Sequence, residues 1–151
     1  MKQISSSIRQ QEYNIGNLEC SLLQNGTLET YMAKILIVDD DYLITELMYS
    51  LVSMDKHEAI VVNDSTEAME TAISVQPDLI TLDLMMPHLT GYDLCQLLRA
   101  DPQFAKTPII IISAKEDTQS REKAFALGAT EYITKPFDID QFLNTIQKLI
   151  R

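Results

Sequence analysis

A doubly wound α/β domain built on a parallel sheet is the fold this sequence predicts, and three observations predict it. From Lys34 onward, short apolar runs and helix-patterned stretches alternate through five units joined by connections of a few residues. The runs are continuous rather than alternating, as in LITL (79–82) and PIIII (108–112), which is the pattern of strands covered on both faces. Polar residues capable of chemistry stand at the ends of those runs: Asp39 and Asp40, Asp83, Ser113 and Lys135. The carboxyl ends of strands are where open α/β sheets build their sites.

Residues 1–32 read as an N-terminal extension. They hold Ser5-Ser6-Ser7 and scattered Gln and Asn. Ile4, Ile8, Ile15, Leu18 and Leu22 approach helical spacing, but Asn14, Gly16 and Asn17 interrupt it. So few apolar groups cannot offset the entropy of ordering, and a mobile extension is expected. Met32-Ala33-Lys34 also resembles a translation start, so an upstream start is an equally plain origin for the segment.

The domain is expected over 33–151. KILIV (Lys34–Val38) is a first strand, and the helix from about Tyr42 carries Ile44, Leu47, Met48 and Leu51 on one face. EAIVV (Glu58–Val62) is a second strand. Asp64 or Ser65 caps the next helix, whose stripe is Ala68, Met69, Ala72 and Ile73. A third strand over about 79–83 leads through a loop from Pro87 to Gly91 into a helix with Tyr92, Leu94, Cys95, Leu97 and Leu98. The fourth strand covers 108–112. Asp117 or Thr118 opens a helix stopped by Gly128, a residue suited to a left-handed backbone. A short fifth strand, Glu131–Thr134, precedes a last helix over about 139–150. Its apolar arc (Ile139, Phe142, Leu143, Ile146, Leu149, Ile150) is mostly core packing and is also broad enough to meet a partner.

Composition narrows the function classes. The chain has 151 residues and a net charge of −10. That balance argues against sequence-independent binding to nucleic acid, which needs a basic surface. No apolar run approaches the ~20 residues that span a bilayer, and no apolar signal core opens the chain, so neither membrane nor export is expected. Cys20 and Cys95 have no metal or redox spacing and read as reduced thiols of a cytoplasmic protein. His57 and His88 fall in predicted loops and read as ordinary surface residues.

Asp39, Asp40 and Asp41 follow one strand and precede one helix. One acid there is a helix cap, a role Asp41 suits; three in a row repel one another unless a cation is present. With Asp83 they suggest a site for Mg²⁺, which takes hard oxygen ligands. Adding the Ser113 hydroxyl and the Lys135 ammonium gives the parts of a phosphoryl-transfer site: nucleophilic carboxylate, cation, hydroxyl donor and ammonium.

The segments VDD (38–40), DLMMPHLTG (83–91), ISA (112–114) and GATEYITKPF (128–137) resemble the receiver domain of two-component response regulators. The resemblance covers about 34–150 and implies a flavodoxin-like five-stranded sheet of order 2-1-3-4-5, an order whose known examples include a chemotaxis receiver. It implies that Asp83 is the phosphoacceptor, and that Asp40, Asp83 and the Met85 carbonyl ligate Mg²⁺ with Asp39 acting mainly through water. It implies further that Ser113 and Lys135 bind phosphoryl oxygens, that Tyr132 is a switch aromatic that turns inward, and that Pro136 follows a cis peptide. The family's usual threonine is Ser113 here, which keeps the hydroxyl. The reading that results is a stand-alone, chemotaxis-regulator-like switch rather than a metabolic enzyme. Its phosphoryl group would come from a sensor histidine kinase or histidine phosphotransfer protein, and its output would be a downstream protein or a phosphorylation-dependent homodimer. The rival reading is a Mg²⁺-dependent phosphohydrolase of the haloacid dehalogenase type with Asp39 as nucleophile. Against it, Leu43 stands where that family has Thr or Val, and no acidic pair follows Lys135.

Overall fold

A computed structural model of the chain describes residues 21–22, 28–29 and 31–150. The chain divides into two units, Met1–Met32 and Ala33–Arg151. In the first, Ser21–Leu22 and Leu28–Glu29 pair as a short antiparallel ladder, which the interrupted apolar pattern did not announce. Tyr31 and Met32 are exposed, and the rest of the expected mobile extension lies outside the described residues.

The second unit runs β1 (Lys34–Val38), α1 (Tyr42–Met54), β2 (Glu58–Val62), α2 (Ala68–Val75), β3 (Leu79–Leu82), α3 (Gly91–Ala100), β4 (Ile109–Ser113), α4 (Thr118–Ala126), β5 (Glu131–Thr134) and α5 (Ile139–Leu149). Its strands form one parallel sheet in the order β2-β1-β3-β4-β5, the expected 2-1-3-4-5 arrangement. Alternate residues of each strand face opposite sides, and both sides are covered. Leu36, Val38, Ile80, Leu82, Ile109 and Ile111 pack with Ala68, Ala72, Leu94, Leu98 and Ala124, from α2, α3 and α4. Ile35, Ile37, Leu79, Ile110 and Ile112 pack with Met48, Leu51, Val52, Phe142 and Ile146, from α1 and α5. This explains why the strands read as unbroken apolar runs.

Helix starts follow the capping chemistry in the sequence. Asp41 accepts from Leu43 and Ile44 amides at the start of α1, Asp117 from Ser120 at α4, and Asp138 from Gln141 at α5. Thr90 and Asp93 form a reciprocal capping box at α3. Asp64, not Ser65, caps the 3₁₀ turn Ser65–Glu67 that leads into α2. Gly128 sits just past α4 at φ +106°, a backbone state open to glycine.

Two expectations need correction. Leu47 and Ile73 were expected on core-facing stripes, and both are exposed. Each lies at the margin of its stripe; in α1 the buried set is Thr45, Met48, Leu51 and Val52, so the face is rotated toward a polar residue that apolar periodicity overlooks. His57 is no ordinary surface residue. Its Nδ1 accepts from the Ala33 amide at 3.2 Å, and its Nε2 lies 3.5 Å from Asp55, which Gln147 of α5 also holds. His88 is exposed as expected. Among the described residues, no helix is long and apolar enough to cross a membrane.

Candidate functional site

Strand register builds the site. Val38 of β1 is paired with Leu82 of β3, so the next residue on each strand, Asp39 and Asp83, stand side by side where the strand order reverses. Backbone bonds continue past the strand ends and fix both: the Asp83 amide donates to Val38 O at 3.0 Å, and the Asp39 amide to Val62 O at 3.2 Å. At the other end of the site, Ser113 closes β4 opposite Thr134, and the Lys135 amide donates to Ser113 O at 2.8 Å. The peptide between Lys135 and Pro136 is cis.

Side chains then converge. Asp39, Asp40 and Asp83 each offer a carboxylate oxygen, and these oxygens all lie within 4.8 Å of one another. Lys135 Nζ is 2.5 Å from Asp39 Oδ2 and 3.6 Å from Asp83 Oδ2. Asp39 is 2% exposed and Asp83 6%, whereas Asp40 is exposed. Both oxygens of Asp39 are engaged, Oδ1 by the Asp41 amide and Oδ2 by Lys135. Asp83 Oδ1 has a long contact from the Met85 amide at 3.4 Å. Ser113 is fully buried, its Oγ accepting from the Lys115 amide at 3.3 Å. Asp41, the third acid of the run, serves the α1 cap.

Three carboxylates beside one ammonium leave a local excess of negative charge. Burial pushes the Asp83 carboxyl up to about 6, the Asp39 carboxylate adds to the rise, and Lys135 opposes it. An all-oxygen cluster of this kind fits a small hard cation such as Mg²⁺; the exposed Asp40 and the loosely held oxygens of Asp83, at 3.4 and 3.6 Å from their nearest partners, are the available ligands.

The loop after Asp83 is pressed against it. A Cβ on Gly91 would lie 2.2 Å from the Asp83 carbonyl oxygen and 2.9 Å from Leu84 Cα, both backbone atoms with no rotamer to yield. Gly91→Ala is therefore expected to cost about 1–3 kcal/mol by overpacking. Thermal melting checks this; a variant that melts as wild type does would show that the loop yields freely.

Tyr132 was expected to turn inward on activation, and here it is already buried. Its hydroxyl donates to Lys115 O at 2.8 Å, and the Arg121 guanidinium lies 4.7 Å from its ring centroid. Burial raises the phenol pKa, with the Ser113 hydroxyl opposing that shift.

Two residues joined to the site were not singled out from the sequence as parts of it. Asn63, just past β2, donates to Asp39 O at 2.8 Å and to Thr45 Oγ1 at 3.0 Å, tying the acid's backbone to α1. Ser65 reaches the loop after Asp83. Their one signal was position at the end of a strand, which capping explains equally well.

Comparison with known proteins agrees with this geometry. Residues 35–147 match the family described as the response regulator receiver domain. The DNA-binding dual master transcriptional regulator RpaA of Synechocystis sp. is 37% identical over 120 residues, 80% of this chain and 50% of that protein. The chain thus spans about half the length of the curated relatives it matches. The chemotaxis protein CheY4 of Vibrio cholerae superposes with a TM-score of 0.75 at 29% identity, over 79% of this chain and 99% of that one. The receiver domain of sensor histidine kinase PA1611 from Pseudomonas aeruginosa, which carries a magnesium ion in its active-site cleft, gives 0.73 at 25% identity, over 80% and 98%. The haloacid dehalogenase reading finds no support in these matches.

Proposed function

We propose, given that this chain belongs to the response regulator receiver family, that Asp83 accepts a phosphoryl group from a phosphohistidine and that its neighbours turn the event into a change of surface. The observation that carries the reading is Asp83 itself: a buried carboxylate at the end of β3, with Lys135 at 3.6 Å and two further acids close by.

In the transfer, an Asp83 oxygen attacks phosphorus, the P–N bond of the donor breaks, and the imidazole leaves with the bonding pair. The product is an acyl phosphate. Mg²⁺ held by Asp40, Asp83 and the Met85 carbonyl, with Asp39 behind a water, would supply positive charge against the phosphoryl oxygens. The engaged oxygens of Asp39 support its indirect role. Lys135 has the reach to bind one phosphoryl oxygen, and Ser113 the hydroxyl to donate to another. The donor is a sensor histidine kinase or phosphotransfer protein, and the output passes to a downstream protein or a second copy. The chemistry proposed for the chain is the gain and loss of this group, a switch rather than a metabolic reaction. A phosphoryl supply of that kind and the scattered cysteines suit the cytoplasm. Transfer of labelled phosphate from a phosphohistidine protein, leaving one acid-stable and base-labile group, tests the reading; a chain that takes none would refute it.

Coupling runs through Ser113 and Tyr132. Ser113 lies in β4 and the loop after it leads directly into α4; Tyr132 on the adjacent β5 bonds that loop at Lys115. Phosphorylation adds about −1.5 to −2 charges at this point. A two-state element of this kind moves from 1:99 to 99:1 only with a bias of about 5.5 kcal/mol. Ser113→Ala should still be modified on Asp83 yet lose most phosphorylation-dependent binding or dimerisation. Tyr132→Ala should change that binding with phosphorylation kinetics nearly intact. Size-exclusion and pull-down measurements decide; full phosphorylation dependence in Ser113→Ala would exclude this route.

A further inference from the structure

The loop joining β3 to α3 is held from outside by one side chain. Ser65, 3% exposed in the turn before α2, donates its hydroxyl to Pro87 O at 2.7 Å and accepts from the Leu89 amide at 3.1 Å. The two partners flank His88, which has φ +70°, a backbone state unfavourable for a residue with a side chain. The Ser65 hydroxyl thus satisfies a carbonyl and an amide that the left-handed turn leaves without ladder partners, and it holds the turn in place. Gly91 fixes the other end of the same loop against the Asp83 backbone. Between these anchors lies Met85, 59% exposed, whose carbonyl is the third protein ligand in the proposed metal site.

A backbone carbonyl is a ligand that no rotamer can re-aim, so its direction depends on how the loop is pinned. Asp83 and Asp40 stand on or beside strand ends, whereas Met85 has only the loop. Partners that orient a ligand from behind govern metal affinity nearly as much as the ligands do.

We propose that Ser65 is a positioning residue of the phosphorylation site, clasping the loop through Pro87 and Leu89 so that the Met85 carbonyl is presented for Mg²⁺. This rests on the assignment of Asp83 and Met85 given above. It adds a contribution from the β2–α2 connection, on the far side of β1 from the phosphoacceptor strand.

Mg²⁺ titration by calorimetry, with thermal melting in the absence and presence of the metal, tests the clasp on the full chain. Ser65→Ala removes the hydroxyl, Ser65→Thr keeps it, and Asp83→Asn reports on the site. Ser65→Ala is expected to bind Mg²⁺ about tenfold more weakly, the lower end of losses seen when a ligand's outer partner is removed. Its metal-free melting midpoint should fall by several degrees at most, for the two hydrogen bonds lost, and Ser65→Thr should recover most of the affinity. Affinity within twofold of wild type in Ser65→Ala would overturn the proposal, as would an equal loss in Ser65→Thr. So would a Ser65→Ala protein that melts far below wild type at saturating Mg²⁺, because the hydroxyl would then serve the fold. Asp83→Asn separates the two layers: if it bound Mg²⁺ as wild type does, the site assignment itself would fail, whatever Ser65 does.

Discussion

Asp83→Asn should abolish phosphorylation and, without metal, make the protein more stable at neutral pH. With Mg²⁺ and a small acyl phosphodonor, intact mass should show one added phosphoryl group on wild type and none on the variant. On the reading proposed above, Asp39→Asn should still be modified, more slowly and with a higher Mg²⁺ requirement, because Asp39 would act on the metal through water and not as the acceptor. A phosphoryl group found on Asp39 instead would return the reading to a phosphohydrolase. The stability effect follows from the raised carboxyl. Asp83 titrates near 6 in the fold, first through burial and then through Asp39, against an ordinary value of 3.8. Between those values the folded state holds more protons than the unfolded state, so metal-free stability falls as pH rises through the window. Above about 6 the penalty is fully present, and Asn does not pay it. Melting midpoints of wild type and Asp83→Asn should therefore separate by a few degrees at pH 7 and converge toward pH 4. Mg²⁺ held at the proposed site would need the ionised carboxylate, so its apparent affinity should drop as pH falls below about 6. A wild-type midpoint independent of pH across that window, with no gap to the variant, would contradict this account.

Most of the fold was legible because the physics is local. Unbroken runs such as IIII at 109–112 mean a strand buried on both faces, and Asp41 and Asp117 announce helix starts by the amides they satisfy. The convergence of Asp39, Asp83, Ser113 and Lys135 was legible for a related reason. Each ends or directly follows a strand, and in a parallel sheet all such ends lie on one side. What the sequence withheld depends on three-dimensional partners. His57 was read as surface because its hydrogen bond to Ala33 joins residues 24 apart. Ser65 read as a cap because nothing local shows that Pro87 and Leu89 come within its reach. Leu47 was misplaced because Thr45, polar by composition, is buried through its bonds to Tyr42 O and Asn63.

Lys135→Met should produce a large loss of stability without metal and a small one with it. Lys135 Nζ is 2.5 Å from Asp39 Oδ2, and Asp39 is almost wholly buried. Methionine preserves much of the apolar stem and removes the charge, so the effect isolates electrostatics from packing. Breaking a buried ion pair from one side costs about 3–5 kcal/mol, because the remaining charge has lost its compensation. Two features reduce that here: the Asp41 amide still donates to Asp39 Oδ1, and Asp83 can relieve crowding by taking up a proton. A loss of about 2–4 kcal/mol, or roughly 10 °C in melting midpoint, is the expected result at neutral pH. Lys135 also opposes the rise of the Asp83 carboxyl, so without it that carboxyl titrates higher still, and the pH at which metal-free stability levels off moves upward. Millimolar Mg²⁺ supplies positive charge at the same carboxylates and should recover most of the midpoint. If Asp83 is the nucleophile proposed above, the variant should still be modified. Binding of a partner should respond less to that modification, since the ammonium that would grip a phosphoryl oxygen is gone. Equal destabilisation with and without Mg²⁺ would show that Lys135 acts on the fold through its stem, and not as the countercharge of this site.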